Sequence, residues 1–548
     1  MICILHGYLL EGSGSNLWTR AITESLCRQG HDVHLMAQEN HPDRYPFITD
    51  AWRYPPDGDA ELVHRRDPEL PGRCTLHQPV LGDTLPVYVH DRYEQFSRVV
   101  PMISLSTPEI EAYVERNVEV LRRVVREYGI TAMHANHAVL MSMVAQRISE
   151  EQGIPYSVMP HGSALEFVLK RDARFRRWAG AAFRAAGRIF VHGDEMRQRV
   201  RDALPDDADQ LEHKFSDLHL GVDTRQFIPV PRGERAANIA RLVDALRGVP
   251  RGREPRSAED ALDRIGAAMS DAEMAEAFAA MQSYDGKAPD ADVEAKLARV
   301  EWERDPVLLY VGRLISTKGV HAVIAALPPL LERHPDLRLI LVGHGPLREP
   351  LEVMVRALAT GDRALVERIV AAGRALEGAP EGEGESTELT QAARFLDALR
   401  ERGELESYYD AARRHVRPEH VIFTGYLTHR ELRYLFPSTD VAIFPSVVKE
   451  AGPLVFLEAM ASGAFPMGTY FGGMRASIDS VADAIPSEAV EAMKLSADPH
   501  RTVQDIVYNV PAALAVDEAV KEALFRVARE RYDWTGVAAK LLREMEAM

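Results

Sequence analysis

Two carboxylates stand eight positions apart around a predicted helix start in the C-terminal third of the sequence. Glu450 lies in a loop after the strand-like run DVAIF, and Glu458 lies inside the helical stretch PLVFLEAMAS. Gly452 and Pro453 open this helix, because proline is tolerated in the first turn, where its missing N–H would be unbonded anyway. The unbonded N–H groups around Leu454 form an anion site. Helical Glu residues are mostly solvated, but a Glu in so apolar a helix needs a partner, which favours a bound ligand.

A second group of charged residues follows the strand-like run DPVLLYV. Arg313 comes directly after Gly312, and Lys318 directly before Gly319. An Arg can donate to two oxygens at once and a Lys acts as a point charge, so two fixed cations on one loop suit a diphosphate. The alternative is a surface loop with solvated charges. The strand–loop–helix setting favours the diphosphate.

The N-terminal half contributes a glycine turn and histidines at predicted strand ends. Gly12 and Gly14 lie in the turn GSGSNL, which is either a tight turn only or a place where backbone approaches a ligand. His161 follows the strand-like run YSVM, at the carboxyl end where doubly wound sheets bind ligands. His134 and His137 invite a metal interpretation, but no carboxylate accompanies them. Hydrogen bonding at the strand end is the favoured interpretation of this pair, with acceptor contact as the alternative.

The elements that position these residues are repeated strand–loop–helix–strand units. MICIL, a helix from about Leu17 to Gln29 and HDVHLMAQE form the first unit, and LRLILVGHGPL adds a turn with Gly343 and Gly345. This order predicts an α/β fold with two doubly wound parallel sheets. A nicotinamide dehydrogenase is an alternative, since Glu39 ends the second strand. Against it, Leu17 occupies the third glycine position of its G-x-G-x-x-G motif.

Composition restricts the class of protein. The 548 residues suggest at least two domains, and no apolar run approaches the roughly 18 residues that span a membrane. The formal net charge of −17 disfavours binding to nucleic acid or to an anionic membrane. The N-terminus shows no basic leader and no cleavage site. Cys3, Cys27 and Cys74 have no metal spacing, so we expect a protein of the reducing cytoplasm.

Taken together, these motifs resemble the retaining GT-B glycosyltransferases of the family-4 type. Glu450 and Glu458 form an E-x7-E pattern followed by the helical residues EAMASG, and Arg313 and Lys318 lie in a GR-x4-KG motif. The resemblance implies two Rossmann-like doubly wound domains that face a cleft, with a C-terminal helix that crosses back. In such an enzyme Glu450 would bind donor-sugar hydroxyls, Glu458 the ribose, and Arg313 and Lys318 the diphosphate.

The resemblance implies further roles. His161 would orient the donor sugar and share developing charge, and the backbone near Tyr426 would contact the base. The other expected donor contacts are made by glycine turns and helix amides, at Gly12, Gly14, Gly343, Gly452 and Leu454. The acceptor would meet residues of the first domain, for which the candidates are Tyr88, Arg92 and His137. The resemblance does not extend over two insertions or over residues 40–105, for which the sequence predicts a long, proline-rich, irregular segment.

The predicted domains follow from this resemblance. Residues 1–228 form the acceptor domain, 229–305 an inserted helical module, 306–515 the donor domain, and 516–548 the helix that packs back onto the first domain. A second insertion, 346–419, interrupts the donor domain and contains the acidic, glycine-rich run GAPEGEGEST. Both insertions are helical by periodicity. They are candidates for contacts between copies of the chain or for control of domain closure.

The implied function is transfer of a hexosyl group, with retention, from a nucleotide-diphosphate sugar to a small soluble hydroxyl acceptor or saccharide. UDP-glucose is the favoured donor, with GDP-mannose behind it. Fixed cations would replace Mg²⁺, so neither a metal nor a cofactor is expected. The alternatives are a GT-B phosphorylase, a nucleotide-sugar epimerase and a non-catalytic nucleotide-sugar-binding subunit.

Overall fold

The computed structural model describes residues 1–11, 13–88, 96–254, 260–377, 388–450 and 452–548. These residues fall into two compact units. The first comprises Met1–Gly221 together with Glu530–Met548, and the second comprises Val222–Arg529. The sequence places the first boundary near residue 228. It also treats residues 229–305 as a separate module, whereas the structure includes them in the second unit.

The first unit is built on a large, mostly parallel sheet. Its strands are β1 (Ile2–Leu5), β2 (Val33–Met36), β3 (Ile48–Tyr54), β4 (Glu61–Arg65), β5 (Cys74–Pro79), β6 (Thr84–Val87), β7 (Arg98–Pro101), β8 (Ala132–Asn136), β9 (Tyr156–Met159), β10 (Arg188–Val191) and β11 (Phe215–Asp217). The sheet runs in the order β11-β10-β9-β8-β1-β2-β5-β3-β4, while β6 and β7 form a separate pair. Only the β3–β4 pairing is antiparallel in this large sheet, as described. The sheet therefore reverses its winding at β1 and β8, where doubly wound folds bind ligands.

Helices cover this sheet, and their bounds follow the chain. They are Gly14–Arg28, Thr107–Tyr128, Met141–Gln152, a short turn Gly162–Ala164 that continues as a π-helix Leu165–Leu169, Ala173–Ala185, Gly193–Ala203 and Ala208–Leu211. The C-terminal helix Trp534–Glu546 also belongs to this unit. Of the segment 516–548 that the sequence assigns to it, however, residues 516–529 lie in the second unit. Its Val537, Leu541 and Met545 join the core formed around Trp18.

The segment 40–105 is not the irregular loop that its prolines suggest. Strands β3 and β5 lie inside the main sheet and β4 lies at its edge. The prolines do not break these strands, because Pro79 and Pro101 are terminal residues and Pro86 lies in the separate two-stranded pair. The prediction of an irregular segment is therefore wrong, because the strand-forming pattern of stretches such as ITDAWRY outweighs the proline content.

The second unit has a parallel sheet of the same kind. Its strands are β12 (Val307–Val311), β13 (Arg338–Val342), β14 (Val421–Gly425), β15 (Val441–Phe444), β16 (Phe465–Thr469) and β17 (Lys494–Leu495), in the order β14-β13-β12-β15-β16-β17. Nearly all residues of these strands are buried, as expected for a sheet covered on both faces. Winding reverses between β12 and β15. Both predicted charged motifs follow these two strands.

The helices of the second unit include both insertions. Their bounds are Arg235–Ala245, Asp271–Met281, Val293–Leu297, Val320–Arg333, Arg348–Thr360, Arg363–Ala372, Thr390–Glu401, Leu405–His415, His429–Leu435, Leu454–Ala461, Gly472–Asp479, Ser487–Ala492, Thr502–Leu514 and Glu518–Arg531. The predicted acidic tip of the second insertion, 378–387, lies outside the described residues. Among the residues described, no helix is both long and apolar enough to cross a membrane.

Candidate active site

The two charged motifs of the second unit meet at the point where its sheet reverses winding. Lys318 follows β12 and Glu450 follows β15, and these strands are neighbours. The Lys318 ammonium forms an ion pair with Glu450 Oε1. Ser446 Oγ donates to the same carboxylate oxygen at 2.8 Å. The structure thus brings together two of the residues that the sequence assigned to the donor.

Close backbone packing fixes the loop that carries Lys318. Gly319 has φ +73°, and a Cβ at this position would lie 1.9 Å from the Pro445 carbonyl oxygen. Val447 N donates to Thr317 O at 2.9 Å across the same pair of loops. Only glycine permits both this left-handed conformation and this approach. The loop after β12 is therefore joined to the loop after β15 around Thr317 and Gly319.

The backbone of Glu450 is held by the glycine turn farther along the chain. Gly473 N donates to Glu450 O at 2.8 Å. The helix that follows begins at Leu454, with Pro453 as its N-cap residue and no side chain capping its first turn. Gly452 lies between the carboxylate and this helix start. Lys318, Glu450 and the start of the helix therefore lie within one set of connected loops.

Glu458 is buried in the helix Leu454–Ala461, with 5% of its surface exposed. His429 Nε2 lies 2.7 Å from Glu458 Oε1. The other carboxylate oxygen, Oε2, is also buried and has no hydrogen-bond partner among the described residues. The sequence analysis missed His429. Its only signal was the capping box of Thr428 and Glu431, which fixes His429 as the first residue of a helix.

Arg313 occupies the same loop as Lys318 but is exposed. Its carbonyl accepts the Tyr310 hydroxyl at 2.9 Å. Burial, followed by the nearby Glu450 carboxylate, raises the pKa of Tyr310 above its usual range. The structure therefore places the Arg313 backbone at the site, while the residue as a whole is exposed.

The loop after β13 completes this edge of the sheet. Gly343 and Gly345 have φ values of +139° and +153°, and added Cβ atoms would lie 1.9 Å and 2.4 Å from the carbonyl oxygens of Gly312 and Leu314. The Tyr426 amide already donates to Ala288 O at 3.1 Å. A contact from Tyr426 to a base would therefore come from its carbonyl or its side chain.

A chain of buried hydrogen bonds leads to His161 in the first unit. His6 Nε2 lies 3.0 Å from Asn16 Oδ1, and His6 Nδ1 lies 3.1 Å from Thr19 Oγ1. Asn136 Nδ2 donates to Thr19 Oγ1 at 2.6 Å. Asn136 Oδ1 then faces His161 Nε2 at 3.2 Å.

The last hydrogen bond of this series defines the tautomer of His161. An amide oxygen can only accept, so the Nε2 of His161 carries the proton and its Nδ1 is an acceptor. The pKa of His161 is well below the ordinary value, because the ring is largely desolvated and lies among other imidazoles. Burial likewise lowers the pKa of His6 to about 4. Both rings are therefore neutral near pH 7. His6, Asn16 and Thr19 were missed from sequence because only the folded sheet brings them together.

The remaining predicted residues of the first unit have different fates. His137 is buried with φ +74°, an uncommon conformation for a residue other than glycine, and stacks on Tyr88 with ring centroids 4.5 Å apart. Tyr88 donates to Val139 O at 3.3 Å. Gly14 starts a helix and has open space around its Cα, so its glycine is not required for packing. Gly12 and Arg92 lie outside the described residues.

His134 follows the hydrogen-bonding interpretation, since its Nδ1 lies 2.9 Å from Ser157 Oγ. The described part of the chain contains no group of three His, Cys, Asp or Glu side chains that could hold a metal ion. Metal independence itself stays a prediction.

Comparisons with known proteins match both units to glycosyltransferase family models. Residues 12–225 match a family model described as Glycosyltransferase Family 4. Residues 292–366 and 390–496 match two models described as Glycosyl transferases group 1. Together the three segments cover most of the chain.

Individual relatives are more distant. The chain is 27% identical to glycogen synthase of Mycobacterium tuberculosis over 235 residues, which is 42% of this chain and 40% of that protein. The chain spans between 21% and 40% of the length of the first three curated relatives that it matches. Sucrose-phosphate synthase from Thermosynechococcus elongatus aligns over 100% of this chain and 99% of its own, with a TM-score of 0.50 and 15% identity. Anabaena HepE in complex with UDP aligns over 100% of both chains, with a TM-score of 0.50 and 13% identity. The two structural likenesses establish the fold.

Proposed function

Because this chain belongs to the GT-B glycosyltransferases of the family-4 type, we propose that it moves a glycosyl group from a nucleotide-diphosphate sugar to a hydroxyl acceptor, with retention of configuration. The observation that carries the proposal is the pairing of Lys318 with Glu450 between β12 and β15. A cation for a phosphate and a carboxylate for sugar hydroxyls are thereby fixed side by side.

The electrostatic requirement of the reaction is to stabilise the leaving diphosphate. Negative charge builds on its oxygens as the sugar–phosphate bond breaks. Lys318, with the exposed Arg313 and the amides at the start of the helix Leu454–Ala461, would stabilise that charge. Lys318 and the helix amides are already fixed by the protein, so little reorganisation of these groups accompanies the charge separation. On this basis we propose that no metal ion is needed.

Glu450 and Glu458 would recognise the two sugars of the donor. Glu450 lies beside Lys318, next to the expected phosphate, and would accept hydrogen bonds from hydroxyls of the transferred hexose. Glu458 Oε1 is engaged by His429, which leaves the buried Oε2 for a ribose hydroxyl. A buried carboxylate oxygen without a partner destabilises the fold, and a bound hydroxyl removes that penalty.

His161 would contribute from the first unit as a neutral acceptor. Its Nε2–H is directed to Asn136, so its Nδ1 is the atom available for a donor-sugar hydroxyl. By analogy with the family, the acceptor hydroxyl attacks the anomeric carbon on the face that the diphosphate leaves. Its proton passes to the leaving phosphate oxygen. The new glycosidic bond therefore retains the configuration of the donor.

For the donor we propose a UDP-hexose such as UDP-glucose, and for the acceptor a small soluble hydroxyl compound. The UDP complex of the Anabaena protein is consistent with that base. We also propose a cytoplasmic location, since Cys3, Cys27 and Cys74 are all unpaired and buried. Burial raises the pKa of Cys27 to about 12, so that thiol is unreactive.

The proposed function is tested by product analysis with UDP-, ADP- and GDP-sugars, with and without candidate acceptors. We expect acceptor-dependent release of nucleoside diphosphate and a glycoside of unchanged anomeric configuration. Lys318→Ala and Glu450→Ala should each lower the rate by about 10²–10³-fold, as removal of one preorganised stabilising group does elsewhere.

Lys494→Ala is the matched control, because Lys494 pairs with Glu491 on the outer strand β17, two strands away from β15 in the sheet. Epimerisation without an acceptor would indicate the epimerase alternative, and release of a sugar phosphate would indicate the phosphorylase alternative. Either result would contradict glycosyl transfer. Unchanged turnover in the Lys318 or Glu450 variant, with the fold intact, would remove that residue from the site.

A further inference from the structure

Part of the first insertion is built into the donor-side sheet. Asp290 N donates to Thr424 O at 2.9 Å, Tyr426 N donates to Ala288 O at 3.1 Å, and Pro289 forms an antiparallel bridge with Gly425. The insertion thus adds backbone to the edge strand β14 at Gly425, where that strand ends. Residues 284–290 are called the edge segment below.

Glycine at position 425 fits this arrangement. Gly425 has φ +74°, and a Cβ there would lie 2.7 Å from Asp290 N and 2.8 Å from Ala288 O. Any side chain would push the edge segment away from β14. The close approach therefore depends on both partners.

Buried charges hold the edge segment in place. Asp290 accepts two hydrogen bonds from Arg348, at 2.6 Å and 2.5 Å, and one from Lys296 at 2.6 Å. Arg348 and Asp290 are each 1% exposed. At the other end, the Tyr284 hydroxyl donates to the buried Glu349 at 2.8 Å. Two anchors on one helix, Arg348–Thr360, thus fix the segment at both ends.

The edge segment reaches the glycine loop after β13. A Cβ at Gly286 would lie 3.5 Å from His344 Nδ1, and His344 stands between Gly343 and Gly345. The His344 carbonyl accepts Leu314 N at 2.8 Å, which joins it to the loop of Arg313 and Lys318. His344 also lies against Tyr426, with ring centroids 5.7 Å apart.

Gly286 has no conformational reason to be glycine. Its φ lies outside the left-handed range, and the nearest atoms around an added Cβ are at ordinary contact distance. A residue without a side chain here leaves space beside His344. Such space would suit a flat ring.

We propose that the edge segment forms the wall of the donor site at its nucleoside end, with Gly286 leaving room for the base beside His344. The inference rests on the proposed function, because it concerns the same donor. It gives the insertion a role in recognising the base and ribose of a nucleoside diphosphate. The diphosphate end remains with Lys318 and its loop.

The test is binding of UDP, ADP, GDP and inorganic pyrophosphate to the full chain by calorimetry, with pyrophosphate also measured by competition. Gly286→Phe should weaken the affinity for the preferred nucleoside diphosphate by at least tenfold and change the affinity for pyrophosphate by less than about twofold. The matched control is Gly266→Phe in the same insertion, where an added Cβ meets nothing within 4 Å. It should leave all four affinities unchanged.

Gly286→Leu is measured beside Gly286→Phe, because this smaller side chain keeps the test decisive if Phe disturbs folding. Melting temperatures of all variants are recorded. Nucleotide binding by the folded Gly286 variants at the wild-type affinity would overturn the inference and leave the proposed function standing. Equal losses for UDP and pyrophosphate would also overturn it, because the effect would not be confined to the nucleoside end. A wild-type chain that binds none of the nucleoside diphosphates would remove the proposed function and this inference together.

Discussion

At the scale of single residues, His161 depends on a partner that acts on its orientation. Asn136 accepts the Nε2–H of His161 and donates to Thr19, so it fixes both the ring plane and the tautomer. The imidazole is neutral, so its part in the proposed reaction would be the lone pair on Nδ1, and the ring orientation sets the direction of that lone pair. Asn136 is thus a positioning residue.

Asn136→Leu should lower the transfer rate about tenfold to a hundredfold, because a lost buried hydrogen bond of about 1–3 kcal/mol frees His161 to rotate. Asn136→Asp keeps an oxygen facing His161 and should recover part of the rate. Rates are measured at saturating donor and corrected for the folded fraction. Asn117→Leu is the control, since buried Asn117 donates to Tyr113 O within the helix Thr107–Tyr128 of the same unit. A rate for Asn136→Leu equal to that of this control would exclude positioning.

At the scale of elements, glycines decide how closely the loops at the sheet edge can approach. Gly319, Gly343 and Gly345 each bring backbone against the carbonyl of a neighbouring loop. Sequence alone identified the motif around Gly319 by its charges. The structure adds that the glycine itself joins the loops after β12 and β15.

Gly319→Ala should destabilise the second unit and weaken pyrophosphate binding, because its Cβ overlaps Pro445 O and displaces Lys318. The matched control is Gly361→Ala, which has the same φ of +73° but meets only the Arg413 side chain, at 3.4 Å. The control should lose about 1–2 kcal/mol for the left-handed conformation alone. Chemical denaturation and pyrophosphate titration compare the two. Equal losses of stability and unchanged binding would show that the Pro445 contact has no role.

At the scale of the whole molecule, the two units differ in how they hold charge. The described second unit buries ion pairs such as Asp290 with Arg348, as well as the neutral His321, whereas the first buries a group of neutral imidazoles. Burial lowers the pKa of His134 to about 3 and that of His6 to about 4, from about 6.5. Acid should therefore act on the first unit through its histidines.

The free energy of unfolding of the first unit should fall as the pH drops from about 6.5 towards 4. In that window the unfolded chain binds protons on these histidines and the folded chain does not, so stability rises with pH. His134→Phe should reduce the loss between pH 6.5 and pH 5.0 by about 1.5 kcal/mol, from the usual 1.36 kcal/mol per pKa unit. Denaturation is followed by fluorescence, because the first unit holds four of the five tryptophans, Trp18, Trp52, Trp178 and Trp534. Replacing the exposed His213 by Gln serves as the control, and an unaltered pH dependence in His134→Phe would contradict the prediction.

The sequence by itself determined the α/β class and the two doubly wound parallel sheets. It also located the loops after the strands that contain Lys318, Glu450 and His161. These features are local, since strand period, glycine turns and charged loops are written within a few consecutive residues. It did not identify the strands of segment 40–105, where proline content concealed the pattern.

Only the tertiary structure decided which distant residues become partners. His429 reaches Glu458 across 29 positions, Asn136 reaches Thr19 across 117, and the edge segment reaches β14 across more than a hundred. Such contacts follow from strand order and loop packing, and a one-dimensional pattern contains neither. The glycines and charges of the chain therefore predicted a donor site at the sheet edge, while the fold decided which side chains lie beside it.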